Sequence, residues 1–278
     1  MRTVVHLSDL HFGRVDHAVL APLRRRIDAL RPDLVVVSGD LTQRARAQQF
    51  RAARAFLDTL PTPQVVVPGN HDVPLYNVVE RLLAPFARWR RHVSEDLEPQ
   101  FIDAELAVIG VNTARALVFK GGRINETQVE RLRAQLCDLG DAVTKIVVTH
   151  HPFDVPEGLH HGQDQIVGRA AMAMTALARC GVDLLLSGHL HASHTSHTVE
   201  RYDIEGLSAL VVQAGTATST RQRGETNSFN VLRVDHPRLR VERYAWTPAS
   251  DDFALASAAA YEHSAATGWR AVETAPAT

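Results

Sequence analysis

Short apolar runs alternate with amphipathic stretches through the first quarter of this chain. Residues 4–7, 34–37 and 64–67 are apolar runs of the length of buried strands, and residues 17–30 and 45–59 carry apolar positions at helical spacing. Strands that alternate with helices in this way indicate a parallel sheet with right-handed crossovers. The loops after such strands gather along one edge of the sheet, which is where open α/β sheets bind ligands.

The pattern changes after residue 75. Residues 75–98 are Arg-rich and amphipathic, and they predict a helix that lies over the loop edge of the sheet. Further strands are predicted at 101–102, 106–111, 145–148 and 184–186, helices at 127–139 and 168–180, and antiparallel strands at 196–204, 208–213, 228–235 and 238–246. The Ala-rich last thirty residues predict a peripheral helix or partial disorder. We therefore expect one domain over residues 1–248 and a C-terminal tail over residues 249–278.

Composition narrows the class of protein. The 278 residues include 30 Lys and Arg against 31 Asp and Glu, so the chain lacks the overall positive charge that would attract nucleic acid. We therefore expect no stable nucleic-acid partner. The chain has no apolar run of membrane-spanning length and no signal-peptide pattern at its start, and we expect a soluble cytoplasmic protein. Cys137 and Cys180 are too few for a disulfide framework, and we expect both to be small buried residues rather than reactive thiols.

Residues that can bind a metal follow five of the predicted strands. They are Asp9 and His11 after the first strand, Asp40 after the second, Asn70 and His71 after the third, His150 after the strand at 145–148, and His189 and His191 after the strand at 184–186. One such residue is ordinarily a loop residue with a hydrogen bond. Five strand ends that all carry one predict a shared metal site, because the ends of neighbouring strands lie close together.

The number of candidate ligands indicates two metal ions rather than one. Seven oxygen and nitrogen donors without a thiolate are too many for one ion, counting Asp9, His11, Asp40, Asn70, His150, His189 and His191. They suit Mn²⁺, Fe²⁺ or Fe³⁺, Zn²⁺ or Co²⁺ rather than Ca²⁺ or a Cys₄ zinc site. Two ions about 3.5–4 Å apart can hold the attacking and leaving oxygens of a displacement at phosphorus. The sequence therefore favours phosphoester hydrolysis.

The ordered motifs Asp-x-His, Gly-Asp, Gly-Asn-His-Asp, His and Gly-His-x-His, between Asp9 and His191, resemble those of the calcineurin-like metallophosphoesterases. The chain is most similar to the bacterial class III cyclic-nucleotide phosphodiesterases and glycerophosphodiesterases, which share the His-His-Pro segment found here at residues 150–152. The resemblance implies an α/β fold, a four-layer α/β/β/α sandwich of mixed sheets with the metal site at the C-terminal ends of the strands.

The resemblance also implies a role for each site residue. Asp9, His11 and His191 would hold the first ion, Asn70, His150 and His189 the second, and Asp40 would bridge both. His150 is preferred to His151 because the family's ligand is usually the first histidine after the strand. His71 would face the substrate and protonate the leaving group, while a hydroxide bridging the two ions attacks phosphorus in line. Asp72 would either orient the His71 ring or cap the following turn.

The expected substrate is a small phosphodiester of the cyclic-nucleotide or glycerophosphodiester type. The motif after Gly39-Asp40 lacks the second Asp of protein Ser/Thr phosphatases, and His71 stands where lipid A pathway pyrophosphatases carry Arg. Candidate substrate-binding residues are Asn112, Arg221, Arg223 and the histidines at 160 and 161. A phosphomonoesterase, a phospholipid-directed hydrolase or, less favoured, a catalytically silent binding scaffold of the same fold are the alternatives. A homodimer is a further possibility.

Overall fold

The computed structural model describes residues 1–118, 121–155, 165–198, 202, 204, 208–221 and 225–272. Its strands are β1 (Arg2–Leu7), β2 (Leu34–Val37), β3 (Gln64–Val66), β4 (Gln100–Ile102), β5 (Leu106–Gly110), β6 (Thr144–Val148), β7 (Leu184–Ser187), β8 (His194–His197), β9 (Leu210–Gln213), β10 (Ser228–Asp235), β11 (Arg238–Thr247), β12 (Asp252–Ser264) and β13 (Gly268–Val272). Its α-helices are α1 (His17–Leu30), α2 (Ala47–Leu57), α3 (Val78–Leu83), α4 (Ala87–His92), α5 (Glu126–Leu136) and α6 (Ala170–Arg179).

The strands form two mixed sheets. The first has the order β13-β12-β11-β10-β1-β2-β3, in which β1, β2 and β3 are parallel and the other neighbours are antiparallel. The second has the order β4-β5-β6-β7-β9-β8, with β5, β6, β7 and β9 parallel. The βα units predicted at the start of the chain are confirmed, and the strands predicted at 101–102 and 106–111 are β4 and β5, which pair as an antiparallel hairpin.

Three apolar cores separate four layers. The first core joins β1 and β2 to α1, α2 and α4, the second lies between the two sheets, and the third joins β5, β6 and β7 to α5 and α6. Successive residues of β1 and β2 are buried on opposite faces, so that Val4 and Val36 enter the middle core while Val5 and Val35 face the helices. The predicted α/β/β/α sandwich is confirmed.

The Arg-rich stretch at 75–98 forms two short helices rather than the predicted single one. Pro85 lies between α3 and α4, where its ring and missing N–H are incompatible with a continuous helix. Trp89 of α4 is fully buried and packs edge-on against Phe50 of α2, with ring centroids 6.2 Å apart. Within the described residues, no helix is both long enough and apolar enough to cross a membrane.

Over residues 252–272 the prediction of a peripheral helix or partial disorder is wrong, and residues 273–278 lie outside the described residues. Residues 252–264 and 268–272 are β12 and β13, which continue the first sheet, and buried Phe253, Tyr261 and Trp269 hold them there. The long strand β11 offers an edge to which β12 pairs along its length. The boundary proposed after residue 248 lies between β11 and β12, which are neighbours in one sheet.

The prediction for the two cysteines is also wrong. Cys137 and Cys180 form a disulfide, although 43 positions separate them in the sequence. Cys137 follows the last turn of α5 and Cys180 follows the last turn of α6, and the two helices pack on the same sheet with these ends together. Cys180 is buried as predicted, whereas Cys137 is exposed.

Candidate metal centre

Five of the seven predicted metal ligands have left-handed backbone conformations. Their φ angles are 53° at Asp9, 48° at His11, 54° at Asp40, 74° at His189 and 57° at His191. β1 ends at Leu7, so Asp9 and His11 lie in the loop after the strand and do not share a strand face. They converge because each strand turns sharply just past its last residue. Such conformations are costly for residues other than glycine and occur mainly at functional sites.

Neighbouring loops hold these turns in place. The Asp9 amide donates to the Gly39 carbonyl at 3.1 Å, and Thr216 Oγ1 donates to the Asp9 carbonyl at 2.8 Å. Gly39 has a φ of 94°, and a Cβ there would lie 2.6 Å from His150 Nδ1. The polar stretch that contains Thr216 therefore fixes the ligand loop, and glycine at position 39 lets the two sheets approach each other at the site.

Asp9, His11 and His191 form one cluster of possible ligands. His191 Nε2 lies 3.2 Å from Asp9 Oδ1 and 3.2 Å from His11 Nε2. The distance from His11 Nε2 to Asp9 Oδ1 is 3.5 Å. All three side chains are buried, so their donor atoms face one another with little access to water.

Asn70, His150 and His189 form a second cluster. His150 Nε2 lies 3.1 Å from Asn70 Oδ1 and 3.2 Å from His189 Nδ1. His151 also has a ring nitrogen near His150 and His189, but its Nδ1 contacts Thr113 Oγ1 at 2.8 Å. His150 is thus the histidine of this pair that approaches both Asn70 and the other ligands.

Asp40 lies between the two clusters. One of its oxygens, Oδ2, is 3.6 Å from His11 Nε2 in the first cluster, and the other, Oδ1, is 3.4 Å from His150 Nε2 in the second. A carboxylate in this position can bind one ion with each oxygen. The structure therefore brings the side chains of all seven predicted ligands together, with Asp40 between the two clusters.

The ligand atoms of the two clusters are arranged to bind cations rather than to form hydrogen bonds with one another. His150 Nδ1 can donate to the Ser38 carbonyl at 2.8 Å, and His191 Nδ1 can donate to the Arg221 carbonyl at 2.9 Å, which leaves each Nε2 lone pair aimed at the cluster. Asp9 Oδ1 and His189 Nε2 are buried and receive no hydrogen bond from the described residues. Converging lone pairs of this kind repel one another unless a cation lies between them.

The protonation states of the ligands also suit cation binding. Burial would raise the pKa of Asp9, but His191 and His11 hold the pKa of this carboxyl well below its ordinary value. Burial and the neighbouring His151 and His150 rings lower the pKa of His189, which is therefore neutral at neutral pH. Burial lowers and Asp9 raises the pKa of His191, and the net shift is upward. In the absence of a cation, a proton on His191 partly compensates for the Asp9 charge.

His71 lies beside Asp40 at the mouth of the site. Its amide donates to Asp40 Oδ1 at 2.8 Å, its Nδ1 donates to the Gln43 carbonyl at 2.9 Å, and its Nε2 lies 3.1 Å from Arg221 Nη1. Burial lowers the pKa of His71, although the charge of Asp40 opposes this effect. The Gln43 carbonyl thus fixes the ring so that Nε2 faces Arg221.

Neither role considered for Asp72 is observed. Its carboxylate accepts hydrogen bonds from the amides of Gly69, Leu41 and Thr42 at 3.0, 3.1 and 2.8 Å, rather than from the His71 ring or the following turn. Burial, together with the charge of Asp40, raises the pKa of Asp72 to about 7. Asp72 joins the loop after β2 to the loop after β3, and in this way it holds Asp40 and Asn70 next to each other.

A cleft of about 360 Å³ opens over the metal centre. Its walls include three candidate site residues, His71, His189 and Arg221, and also Arg44 and Arg81. The sequence analysis assigned no role to these two arginines. Arg44 could have been suspected, because it follows Asp40 by four residues at the same strand end. Arg81 lies in a helix whose position above the cleft depends on tertiary packing.

The prediction for Asn112 as a substrate-binding residue is wrong. Asn112 lines a separate surface cleft with Glu98, Arg115 and Gln128, and its Oδ1 accepts a hydrogen bond from the Ala114 amide at 3.0 Å. It therefore shapes the loop after β5 instead of facing the metal centre. Arg223, His160 and His161 lie outside the described residues.

Comparisons with known proteins show the family of this chain. A family model described as calcineurin-like phosphoesterase matches residues 2–193. A protein of Enterobacter lignolyticus named glycerophosphodiester phosphodiesterase GpdQ is 29% identical over 161 residues, which are 54% of this chain and 57% of that protein. The Escherichia coli K12 protein named 3',5'-cyclic adenosine monophosphate phosphodiesterase CpdA is 26% identical over 202 residues, 68% of this chain and 69% of that protein. The chain thus spans little more than half of the first of these two relatives.

Two further similarities widen the range of relatives. A Chlamydia trachomatis protein named UDP-2,3-diacylglucosamine pyrophosphatase LpxG is 24% identical over 235 residues, 69% of this chain and 64% of that protein. Purple acid phosphatase PPD1 from yellow lupin superposes with a TM-score of 0.70 at 14% identity, over 93% of this chain and 53% of that structure. The purple acid phosphatase shares the fold, and its low identity supports no closer inference.

Proposed function

Because the chain belongs to the calcineurin-like phosphoesterase family, we propose that it is a dinuclear metal-dependent hydrolase of small phosphodiesters. The observation that carries the proposal is the position of Asp40, with one oxygen toward each of two ligand clusters. A site for a single ion would not need a carboxylate shared in this way. The names of the relatives GpdQ and CpdA support a diester as the substrate.

In this proposal the ligands divide as the clusters do. Asp9, His11 and His191 would hold one ion, Asn70, His150 and His189 would hold the other, and Asp40 would serve both. Oxygen and nitrogen donors without a thiolate favour manganese and iron, with zinc and cobalt also compatible. Metal binding replaces the proton that Asp9 favours on His191, so the affinity for metal should fall in acid.

Two ions in these positions would supply Lewis acidity that activates water and neutralises charge at phosphorus. The residues of the chain perform the other tasks. His71 Nε2, when protonated, can donate its proton to the leaving oxygen, because the Gln43 carbonyl holds Nδ1 on the other side of the ring. Asp72 keeps the loop of His71 beside Asp40 through the amides of Gly69, Leu41 and Thr42.

Hydrolysis of bis-p-nitrophenyl phosphate by Mn²⁺-loaded protein tests the proposal. We expect turnover by the wild type and a loss of about a hundredfold or more in Asp40→Ala, since both ions would lose a ligand. Asp28→Ala, on the exposed side of α1, is the control and should keep full activity. Equal turnover by Asp40→Ala and the wild type would show that the proposed centre is not the site of hydrolysis.

A further inference from the structure

A smaller cavity lies at the end of the sheets opposite to the metal centre. It has a volume of about 100 Å³, and both sheets contribute to its walls. The side chains used below come from the starts of β6, β7 and β9 in the second sheet and from the region of β10–β13 in the first, namely Lys145, Asp183, Ser208, His236, His263 and Trp269. The metal ligands follow the other ends of β6 and β7, so this cavity is separate from the site of the proposed reaction.

Lys145 places an ammonium group at the wall of this cavity. The residue is 4% exposed, and a Cβ at Gly181, which also lines the cavity, would lie 3.9 Å from Lys145 Nζ. Nζ donates to the Cys180 carbonyl at 2.8 Å, and no carboxylate of the described residues pairs with it. An ammonium group has three N–H donors, so this one can bind a further acceptor. A buried cation with only a neutral partner is suited to bind an anion.

Two histidines and Trp269 form the part of the wall that the first sheet supplies. The ring centroids of His236 and His263 are 5.8 Å apart, and the Trp269 ring lies 5.3 Å from His263 and 6.3 Å from His236. Within the described part of the chain, neither imidazole ring forms a hydrogen bond. Both histidines are half-buried, so each ring can donate an N–H group to a ligand in the cavity.

Asp183 supplies an acceptor to the same cavity. Its Oδ1 accepts a hydrogen bond from Trp269 Nε1 at 2.9 Å, and its Oδ2 accepts one from the Lys145 amide at 2.8 Å. A carboxylate has about four lone-pair sites, so this one can accept further hydrogen bonds. Burial raises the pKa of Asp183, and an additional donor would therefore stabilise its charged form.

A ligand that suits this lining accepts hydrogen bonds from Lys145 and the histidines and donates one to Asp183. Hydrogen phosphate does both, because it carries acceptor oxygens together with a P–OH group. Sulfate has the same tetrahedral shape but no proton to donate at neutral pH. The cavity has room for several waters and hence for one such anion. A metal ion is disfavoured, because the ammonium would repel it and the described residues form no group of three ligand atoms here.

We propose that this cavity binds inorganic phosphate, with Lys145, His236 and His263 donating to its oxygens and Asp183 accepting from its P–OH group. The proposal goes beyond the function proposed for the metal centre and does not depend on it. The anion would contact residues of both sheets, and it would bind only the folded chain. Phosphate should therefore stabilise the protein without entering the reaction.

Isothermal titration of the full chain with inorganic phosphate tests the site. Lys145→Met keeps the apolar stem of the lysine and removes its charge, and we expect it to weaken binding by about tenfold or more. Arg238→Met is the matched control, because its exposed side chain lies two residues from His236 and does not line the cavity. This variant should bind phosphate as the wild type does. Phosphate bound at the metal centre would appear equally in all three proteins.

A second variant and a local measurement guard against a folding defect in Lys145→Met. His263→Ala removes one imidazole donor near the end of β12 and should weaken binding by about fivefold or more. In the wild type, the ring signals of His236 and His263 in NMR spectra should shift when phosphate is added. Those of His17, at the start of α1, should not. Circular dichroism verifies the fold of each variant.

Two further anions test the identity of the ligand through the binding that Lys145→Met removes. We expect sulfate to bind about tenfold or more weakly than phosphate, because it offers no donor to Asp183. AMP distinguishes the free anion from the phosphate group of a monoester, and we expect it to bind more weakly than phosphate. Equal affinity for sulfate or for AMP would overturn the assignment to inorganic phosphate.

The proposal is wrong if Lys145→Met and the wild type bind phosphate equally, or if phosphate shifts the signals of neither histidine. These outcomes are distinct from a failure of the proposed hydrolase. Asp40→Ala should lose hydrolysis of bis-p-nitrophenyl phosphate and keep this phosphate site, whereas Lys145→Met should lose the phosphate site and keep hydrolysis.

Discussion

At the scale of single residues, the ligand loops combine polar side chains with backbone angles that favour glycine. A β-carbon in the left-handed region costs about 1–2 kcal/mol, and Asp9, His11, Asp40, His189 and His191 all carry one. Hydrogen bonds from other loops, such as Thr216 Oγ1 to the Asp9 carbonyl, oppose this cost. The metal centre is therefore built at some expense to the stability of the fold.

Two substitutions at His191 measure the free-energy cost of the left-handed conformation. His191→Ala and His191→Gly both remove the imidazole at a φ of 57°, and only alanine keeps a β-carbon. The difference between their free energies of unfolding therefore measures the cost of a β-carbon in this conformation. We expect the glycine variant to have the larger free energy of unfolding, by about 1 kcal/mol, in the absence of metal. Urea denaturation of both variants checks this, and an alanine variant of equal or greater stability would contradict it.

The division of ligands between two ions makes a prediction about metal content. Asp9 Oδ1 faces His11 and His191 of the first cluster, and Asp9 Oδ2 accepts a hydrogen bond from the His189 amide at 3.0 Å, whereas Asp40 has one carboxylate oxygen toward the histidine ligands of each cluster. We expect Asp9→Ala to lose one ion and keep the second, and Asp40→Ala to weaken both. Elemental analysis after Mn²⁺ loading gives the number of ions per chain, and circular dichroism verifies the fold. Loss of both ions from a folded Asp9→Ala variant would show that the division is wrong.

At the scale of helices and strands, the sequence predicts an element well where the apolar residues that form its pattern are also the residues that it buries in the core. The apolar runs of β1, β2 and β6 and the spacing in α1 and α2 have this property, and their positions were anticipated. The same pattern failed for β12, whose exposed face is rich in alanine and lacks the β-branched residues typical of strands. Pairing with β11 determines its structure, and that contact cannot be read from the local sequence.

The metal ligands were anticipated for a related reason, because each follows a strand that the sequence reveals. Of the three described arginines that line the cleft, only Arg221 was anticipated. Arg44 and Arg81 reach the cleft through packing of loops and helices, and Asn112, which also follows a strand, is turned away by its bond to the Ala114 amide. A position just after a strand predicts which part of the fold a residue occupies, whereas the direction of its side chain depends on the conformation of the loop that carries it.

The disulfide between the ends of α5 and α6 should contribute to stability. Closing a loop between residues 43 positions apart contributes about 4 kcal/mol in the chain-entropy description, and about 2–4 kcal/mol is typical. We expect the double variant Cys137→Ala/Cys180→Ala to lose about this much free energy of unfolding under oxidising conditions. With a reductant present, the wild type should fall to nearly the same stability. A difference that is unchanged by the reductant would assign the effect to packing of Cys180 instead.

At the scale of the whole molecule, β13 fastens the first sheet to the second. Trp269 Nε1 donates to Asp183 Oδ1 at 2.9 Å, and the Trp269 amide donates to Ser208 Oγ at 2.8 Å. Asp183 also accepts from the Lys145 amide at the start of β6. The residues that were expected to form a peripheral tail therefore help to hold the two sheets together.

This junction should make stability depend on pH. Burial raises the pKa of Asp183 above 3.8, so the folded protein holds a proton there that the unfolded chain has released. The contribution of this group to stability is thus present below its unfolded pKa and is lost as the pH rises through the folded pKa. Relative to the non-titrating Asp183→Asn variant, the wild type should lose free energy of unfolding as the pH rises from 3.8 through the raised pKa of Asp183 in the folded protein. A constant difference in urea denaturation across this range would contradict the prediction.

The location of the ligand clusters, between two sheets, has a consequence for the conditions under which the protein remains folded. Asp9, Asp40 and Asn70 follow strands of one sheet, whereas His150, His189 and His191 follow strands of the other. An unfolded chain cannot present residues 9 and 191 to the same ion, so metal binding selects the native state. By mass action, an ion at a hundred times its dissociation constant adds about 2.7 kcal/mol to the free energy of unfolding. The supply of metal in its surroundings would then set the lifetime of the protein as well as its activity.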